Sequence, residues 1–192
     1  MNQLWQSVVM GDQKYDLMNL DHPYVEKRVI AEMEQGVDVY YDTRWEITEV
    51  LTRWLSENVD TYADKKVLIL GAGVGAETLV LAKHADRIWI NDLAPTALKL
   101  CGEQLDQNKL HNHTSLLGRY EELELPKVDL VVASFLVYNK ETLTAMRAFM
   151  KANECEFILM NEPLAEFKQC LKTEPHQLLF QEEDAICVLL GS

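Results

Sequence analysis

The spacing of apolar residues changes several times along the chain, and each change predicts an element. Leu4, Trp5, Val8 and Val9 recur at helical spacing, which predicts a short first helix ended by Met10-Gly11-Asp12. Asp21-His22-Pro23 is a helix-start signal, and Val25, Val29, Ile30 and Met33 supply a second apolar face that Gly36 closes. Val37 to Tyr41 reads as an extended link. Thr43-x-x-Glu46 then has the form of a capping box, and Ile47, Val50, Leu51, Trp54 and Leu55 follow at i, i+3, i+4, i+7 and i+8.

Beyond residue 60 the pattern changes to short strand-like segments, an unbroken apolar run from Val67 to Leu70 followed by Arg87 to Asp92, Thr114 to Leu117, Val128 to Ser134 and Cys155 to Met160. Unbroken runs, as opposed to alternating ones, are expected of parallel strands covered on both faces. Helical patterns separate them. One begins at Glu77, one opens at Pro95 with Leu98, Cys101 and Leu105, and one is capped by Asn139 with Leu143, Met146, Phe149 and Met150 on one face. Residues 164 to 172 read as a further helix. Gln177 to Gln181 and Ala185 to Leu190, joined by Glu182-Glu183-Asp184, predict a closing antiparallel pair. The expected architecture is α/β, a mostly parallel sheet with helices on both faces. Residues 1 to 43 are expected to form a helical cap, either over the edge of a ligand site or merely over core surface, and residues 44 to 192 the main domain.

The chemistry is concentrated after the first strand. Leu70 runs into Gly71-Ala72-Gly73-Val74-Gly75, and a helix follows at once. Glycines let the backbone turn sharply and bring a ligand close to the main chain, while the free N–H groups of the helix start face that ligand. The next strand ends in Asp92, 21 residues after Gly71. A carboxylate at that spacing can accept the hydroxyls of a ribose. Gly71-x-Gly73-x-x-Ala76 also satisfies a dinucleotide fingerprint, so an adenosine-bearing cofactor is indicated without its identity.

Val67 to Gly75, Ile90-Asn91-Asp92-Leu93-Ala94-Pro95 and Val128 to Ser134 stand where class I, seven-stranded S-adenosylmethionine-dependent methyltransferases have their first motif, second motif and fourth strand. The chain resembles that class from about residue 44 to 190. The Asn-Asp-x-x-Pro form of the second motif, and the tryptophan-bearing helix ahead of the first, look most like protein-lysine methyltransferases related to the electron transfer flavoprotein lysine methyltransferase. The resemblance implies a Rossmann-like seven-stranded sheet and S-adenosylmethionine as cofactor. It implies that Gly71, Gly73 and Gly75 bend round the methionine part and that Asp92 holds the ribose, with Leu93 and Tyr120 flanking adenine. The acceptor side is expected at Ser134, Tyr138 and Glu162, with Asn161 beside them. Ser134 and Tyr138 stand near the acid and tyrosine that such lysine methylators commonly carry there, with one extra residue between them. The pattern departs from the class at Ile69 and Arg119, where acids are usual. A catalytically silent S-adenosylmethionine-binding protein and an NAD(P)-binding reductase remain as alternatives.

Charge narrows the acceptor. The formal net charge of −13 would repel a phosphate backbone, so nucleic acid is not expected, and a cationic or neutral acceptor, either a protein lysine or a small amine, fits better. Tyr40, Tyr41 and Trp45 offer aromatic faces for such a cation. No apolar run approaches a membrane span, and no secretory signal is visible at the N-terminus. Cys101, Cys155, Cys170 and Cys187 are widely spaced without a CxxC, as in a cytoplasmic protein with reduced thiols. His111 and His113 lack a third ligand nearby, so no metal site is expected.

Overall fold

The chain, described from residue 3 to 190 in a computed structural model, begins with a hairpin where helical spacing predicts a helix. Trp5–Met10 (β1) and Gln13–Met18 (β2) pair antiparallel, with Met10 opposite Gln13. The two-residue loop places Gly11 first, at φ 62°, as a II′ turn requires, and that turn's twist matches the strands it joins. β1 is largely solvated, Val9 being 71% exposed. Its few apolar residues therefore fit either period, and the turn together with the buried Tyr15, Leu17 and Met18 of β2 decides for strand.

Pro23–Met33 (α1) starts as expected, with His22 Nδ1 accepting from the Tyr24 N–H at 3.1 Å. Val25 and Val29 are buried, whereas Ile30 and Met33 face solvent. Glu46–Glu57 (α2) begins two residues later than the Thr43 box implies. Its N-cap is Trp45, in extended conformation, with no side-chain cap. Arg44 and Trp45 are engaged elsewhere: Arg44 donates to the Met18 carbonyl and Trp45 stacks on Phe135. That anchoring keeps the backbone extended through residue 45. The apolar stripe lies where the periodicity puts it, with Ile47, Leu51 and Leu55 buried.

The remaining strands are Lys66–Leu70 (β3), Arg87–Asp92 (β4), His113–Leu117 (β5), Leu130–Ser134 (β6), Glu156–Asn161 (β7), Gln177–Gln181 (β8) and Ile186–Leu190 (β9). They form one seven-stranded sheet in the order β5-β4-β3-β6-β7-β9-β8. The first five are parallel and the last two antiparallel. Glu77–His84 (α3), Pro95–Gln107 (α4), Lys140–Ala152 (α5) and Ala165–Thr173 (α6) make the connections. Alternate β3 residues feed opposite cores, as strand pleating demands. Val67 and Ile69 join Leu51, Leu55 and Leu79 on one face, while Leu68 and Leu70 join Met146, Phe149 and Phe167 on the other.

Strand order reverses between β3 and β6, and the carboxyl ends of these strands border the crevice where open α/β sheets bind ligands. The N-terminal segment is fastened next to it. Glu32 of α1 accepts from the Thr96 N–H at the start of α4, and the Tyr41 hydroxyl donates to the same carboxyl group.

α5 carries the expected cap. Asn139 Oδ1 accepts from the Thr142 N–H at 2.9 Å, and Thr142 Oγ1 accepts from the Asn139 N–H at 3.0 Å. Replacing Asn139 by Ala should cost about 1 kcal/mol, read as a lower urea midpoint with an unchanged slope. An unchanged midpoint would mean that the reciprocal bonds add nothing beyond solvation.

Candidate active site

The turn from β3 to α3 lies at the crevice and has almost no room for side chains. Gly71 and Gly73 have φ of 61° and 52°, where a side chain would be strained. A Cβ on Gly71 would stand 2.9 Å from Leu136 Cδ2, and one on Gly73 would stand 3.5 Å from Tyr41 Cβ. At Gly75 a Cβ would collide with the Glu77 carboxyl group.

Asp92, the last residue of β4, shapes the turn as well as bordering it. Its Oδ2 accepts from the Gly73 N–H at 2.8 Å and its Oδ1 from the Ala94 N–H at 2.9 Å. Desolvation raises its pKa, and the amides of Ala94, Gly73 and Leu93 oppose that rise. A carboxylate has about four acceptor positions, so a ribose hydroxyl can still be accommodated. Asn91, fully buried beside it, donates to the carbonyls of Leu116 and Gly118 and fixes the loop after β5. Leu93 is 62% exposed and available to an adenine face. The Tyr120 ring packs edge-on against Phe149, with centroids 5.0 Å apart. Arg119 is at the surface, paired with Glu121 and Glu122.

Across the crevice, Ser134 ends β6, its Oγ 3.5 Å from Thr48 Oγ1. The next residue, Phe135, has φ 54°, an unusual conformation for a bulky residue and one that clusters at functional sites. Its N–H donates to the Met160 carbonyl at 2.8 Å. In this position its ring lies between Trp45, at 5.8 Å and 27°, and Tyr138, at 6.3 Å and 31°. Trp45 and Tyr138 are 43% and 51% exposed, so the three rings form an open aromatic rim.

The sequence-predicted aromatic trio is therefore divided. Trp45 is in the rim, Tyr40 is exposed beside it with its carbonyl accepting from Trp45 Nε1, and Tyr41 is buried and bonded to Glu32. Glu162 follows β7 directly and is partly exposed. Asn161, expected to face substrate, does not. Its Oδ1 accepts from the Val137 N–H and its Nδ2 donates to the Val137 carbonyl, both at 3.1 Å. A buried amide satisfies its own polar atoms first, and here it braces the segment that carries Phe135 and Tyr138.

Sequence reasoning missed Glu77. It is the first residue of α3, where an acid favours the helix dipole and so attracts no notice. In the fold it is 4% exposed, and its Oε2 has no hydrogen-bond partner. Burial pushes its carboxyl up to about 7, against the pull of its own backbone amide and of Arg44. A glycine cradle, an acid at ribose spacing and a buried carboxyl short of a partner are all compatible with a cofactor that combines a nucleoside with an amino-acid end.

The same fold is found in the 16S rRNA N2 methyltransferase of T. thermophilus, solved in complex with AdoMet and guanosine. It superposes with a TM-score of 0.67 over the whole of this chain and 51% of that one, at 18% identity. Among curated proteins, the human electron transfer flavoprotein beta subunit lysine methyltransferase is 33% identical over 123 residues, 63% of this chain and 47% of that one. The tRNA (guanine(37)-N(1))-methyltransferase of Pyrococcus abyssi is 35% identical over 72 residues, 38% of this chain and 22% of that one. The chain thus spans about half the length, or less, of these curated relatives. The pattern of the lysine methyltransferase family matches residues 26–161, well over half of the chain and both sides of the crevice, and the protein belongs to that family.

Proposed function

We propose that the protein is an S-adenosylmethionine-dependent methyltransferase acting on nitrogen, either a protein lysine or a small amine. The observation that carries the acceptor assignment is the Trp45–Phe135–Tyr138 rim across the crevice from the glycine turn. Aromatic faces attract an alkylammonium by about 0.5–2 kcal/mol per ring, and a chain of net charge −13 favours cations over polyanions. The four free cysteines suit a reducing compartment such as the cytoplasm.

The cofactor's sulfonium supplies an electrophilic methyl group, so the chain's own residues mainly position and exclude water. Asp92 accepts from the ribose, and the glycine turn admits the methionine part close to the backbone. The aromatic rim guides the acceptor nitrogen in. Ser134 and Tyr138 provide oxygens that take hydrogen bonds from the incoming ammonium, and the Glu162 carboxylate accepts its proton, so that the nitrogen lone pair can face the methyl group.

The test is transfer of tritiated methyl from S-adenosylmethionine into a lysate of the source cell, separated into protein, nucleic-acid and small-molecule fractions. Label is expected in the protein or small-molecule fraction, falling several-fold with Trp45→Ala, as removal of one aromatic face implies. Label in nucleic acid overturns the acceptor assignment. Tight cofactor binding with no label in any fraction favours the silent binding protein.

A further inference from the structure

Two groups of opposite charge, the buried Glu77 at the glycine turn and the part-buried Arg44 within its field, each have a buried polar atom without a partner. The Glu77 carboxyl is folded against Gly75, occupying the volume that a Cβ there would fill, with Oε2 unbonded. Arg44, from the stretch ahead of α2, donates to the Met18 carbonyl, but its Nε is buried without a partner. Only one other buried side-chain atom among the described residues shares that condition, Arg147 Nε, which lies 3.4 Å from a Glu174 oxygen.

Each of the two charges is felt by the other, yet no ion pair joins them among the described residues. Leaving a buried polar atom unsatisfied is costly, and native structures rarely tolerate it. A ligand that brings both an ammonium and a carboxylate would satisfy both atoms at once. β3 cannot supply an acid for that ammonium, because Ile69 is apolar and buried. Asp92, the other carboxylate at the turn, is already engaged by the amides of Gly73 and Ala94.

We propose that Glu77 and Arg44 form the receptor for the α-amino-acid end of S-adenosylmethionine, Glu77 accepting from its ammonium and Arg44 donating to its carboxylate. This rests on the cofactor reading above. The role also accounts for the requirement for glycine at position 75, since any side chain there would displace the carboxyl group from the turn. Other charges act on the pair from neighbouring elements: Asp21 and Glu49 act on Arg44, and Cys101 of α4 lies within the field of Glu77 and Asp92.

The experiment is calorimetric titration with three ligands. S-adenosylmethionine has the complete amino-acid end, its decarboxylated form keeps only the ammonium, and 5′-methylthioadenosine has neither. Hydrogen bonds to charged groups imply a change of about 10- to 100-fold for each bond removed. Glu77→Gln, close in shape, should weaken the first two ligands by that factor and leave the third unchanged, while its melting temperature does not fall. In the parent, removal of the ligand's carboxylate should weaken binding about tenfold or more, and Arg44→Met should abolish that difference. Equal effects of Glu77→Gln on all three ligands, or on none, overturn the assignment. A parent protein that binds none of the three instead removes the cofactor reading itself.

Discussion

Asp92→Ala is expected to lower both stability and cofactor affinity, because the carboxylate that holds the turn is also the proposed acceptor for the ribose. As a ribose acceptor exposed at a strand end, Asp92 would be replaceable with little cost to the fold. The structure places it half-buried, accepting from the amides of Gly73 and Ala94. Charge-assisted bonds of this kind contribute about 1.5–3 kcal/mol, and a stranded amide adds its own penalty. The urea-derived stability should therefore fall by about 2–4 kcal/mol, as those two effects imply. S-adenosylmethionine binding by the remaining folded protein should weaken by about 1.5–3 kcal/mol, the worth of one bond to a charged acceptor. Asp92→Asn keeps one acceptor oxygen but turns an NH2 group towards a backbone N–H, so it should lie between parent and alanine variant. A normal melt with weakened binding would make Asp92 a ligand group alone. A poor melt with undiminished binding would make it purely a support of the turn.

How much of the fold and site is legible in the sequence depends on whether a residue's role is set by its neighbours along the chain. β3, β4, β6 and β7 can be read because strands covered on both faces must be apolar throughout, and Leu68 and Ile69 show that rule at adjacent positions on opposite cores. The terminal pair β8 and β9 is legible from its acidic turn. The first hairpin is not, because β1 buries too little for its period to be decided locally, and a positive φ at Gly11 decides it instead. Thr43 loses the capping role because Arg44 and Trp45 are tied to Met18 and Phe135, contacts that sequence spacing does not contain. The same holds at the site. The glycine turn and Asp92 are adjacent in the expected topology and can be placed, whereas the aromatic rim exists only because Phe135 adopts a left-handed conformation between Trp45 and Tyr138. Asn161 reads as a substrate group because it ends a strand on the ligand side, yet its amide is used up by Val137. Glu77 escapes notice for the converse reason: its burial and its missing partner are properties of the assembled turn, not of the first helical position.

Glu77→Gln is expected to stabilise the ligand-free protein, by an amount that depends on pH. The carboxyl group titrates at its ordinary 4.5 in the unfolded chain and at about 7 in the fold, chiefly through loss of solvation. Below 4.5 both states hold the proton, and the neutral acid costs the fold nothing extra. Between 4.5 and 7 the unfolded chain releases its proton while the folded one retains it, so stability declines as pH rises. Above 7 both are ionised and the loss is complete. At about 1.4 kcal/mol for each unit of pKa, the full loss is about 3 kcal/mol. Glutamine has no proton to lose. Its advantage over the parent should be small in acid, grow through about pH 5 and 6, and level off at about 3 kcal/mol near pH 8, as read from urea midpoints of the two proteins at each pH. Other titrating groups are common to both proteins and drop out of the difference. A difference that is flat across this range would mean that Glu77 is not desolvated, and with it would go the reason to regard its carboxylate as waiting for a charged partner. Saturating S-adenosylmethionine should narrow the gap near pH 8, because an ammonium beside Glu77 favours the ionised form that burial alone opposes. A substitution that stabilises the empty protein and weakens the liganded one separates a binding carboxylate from a packing one.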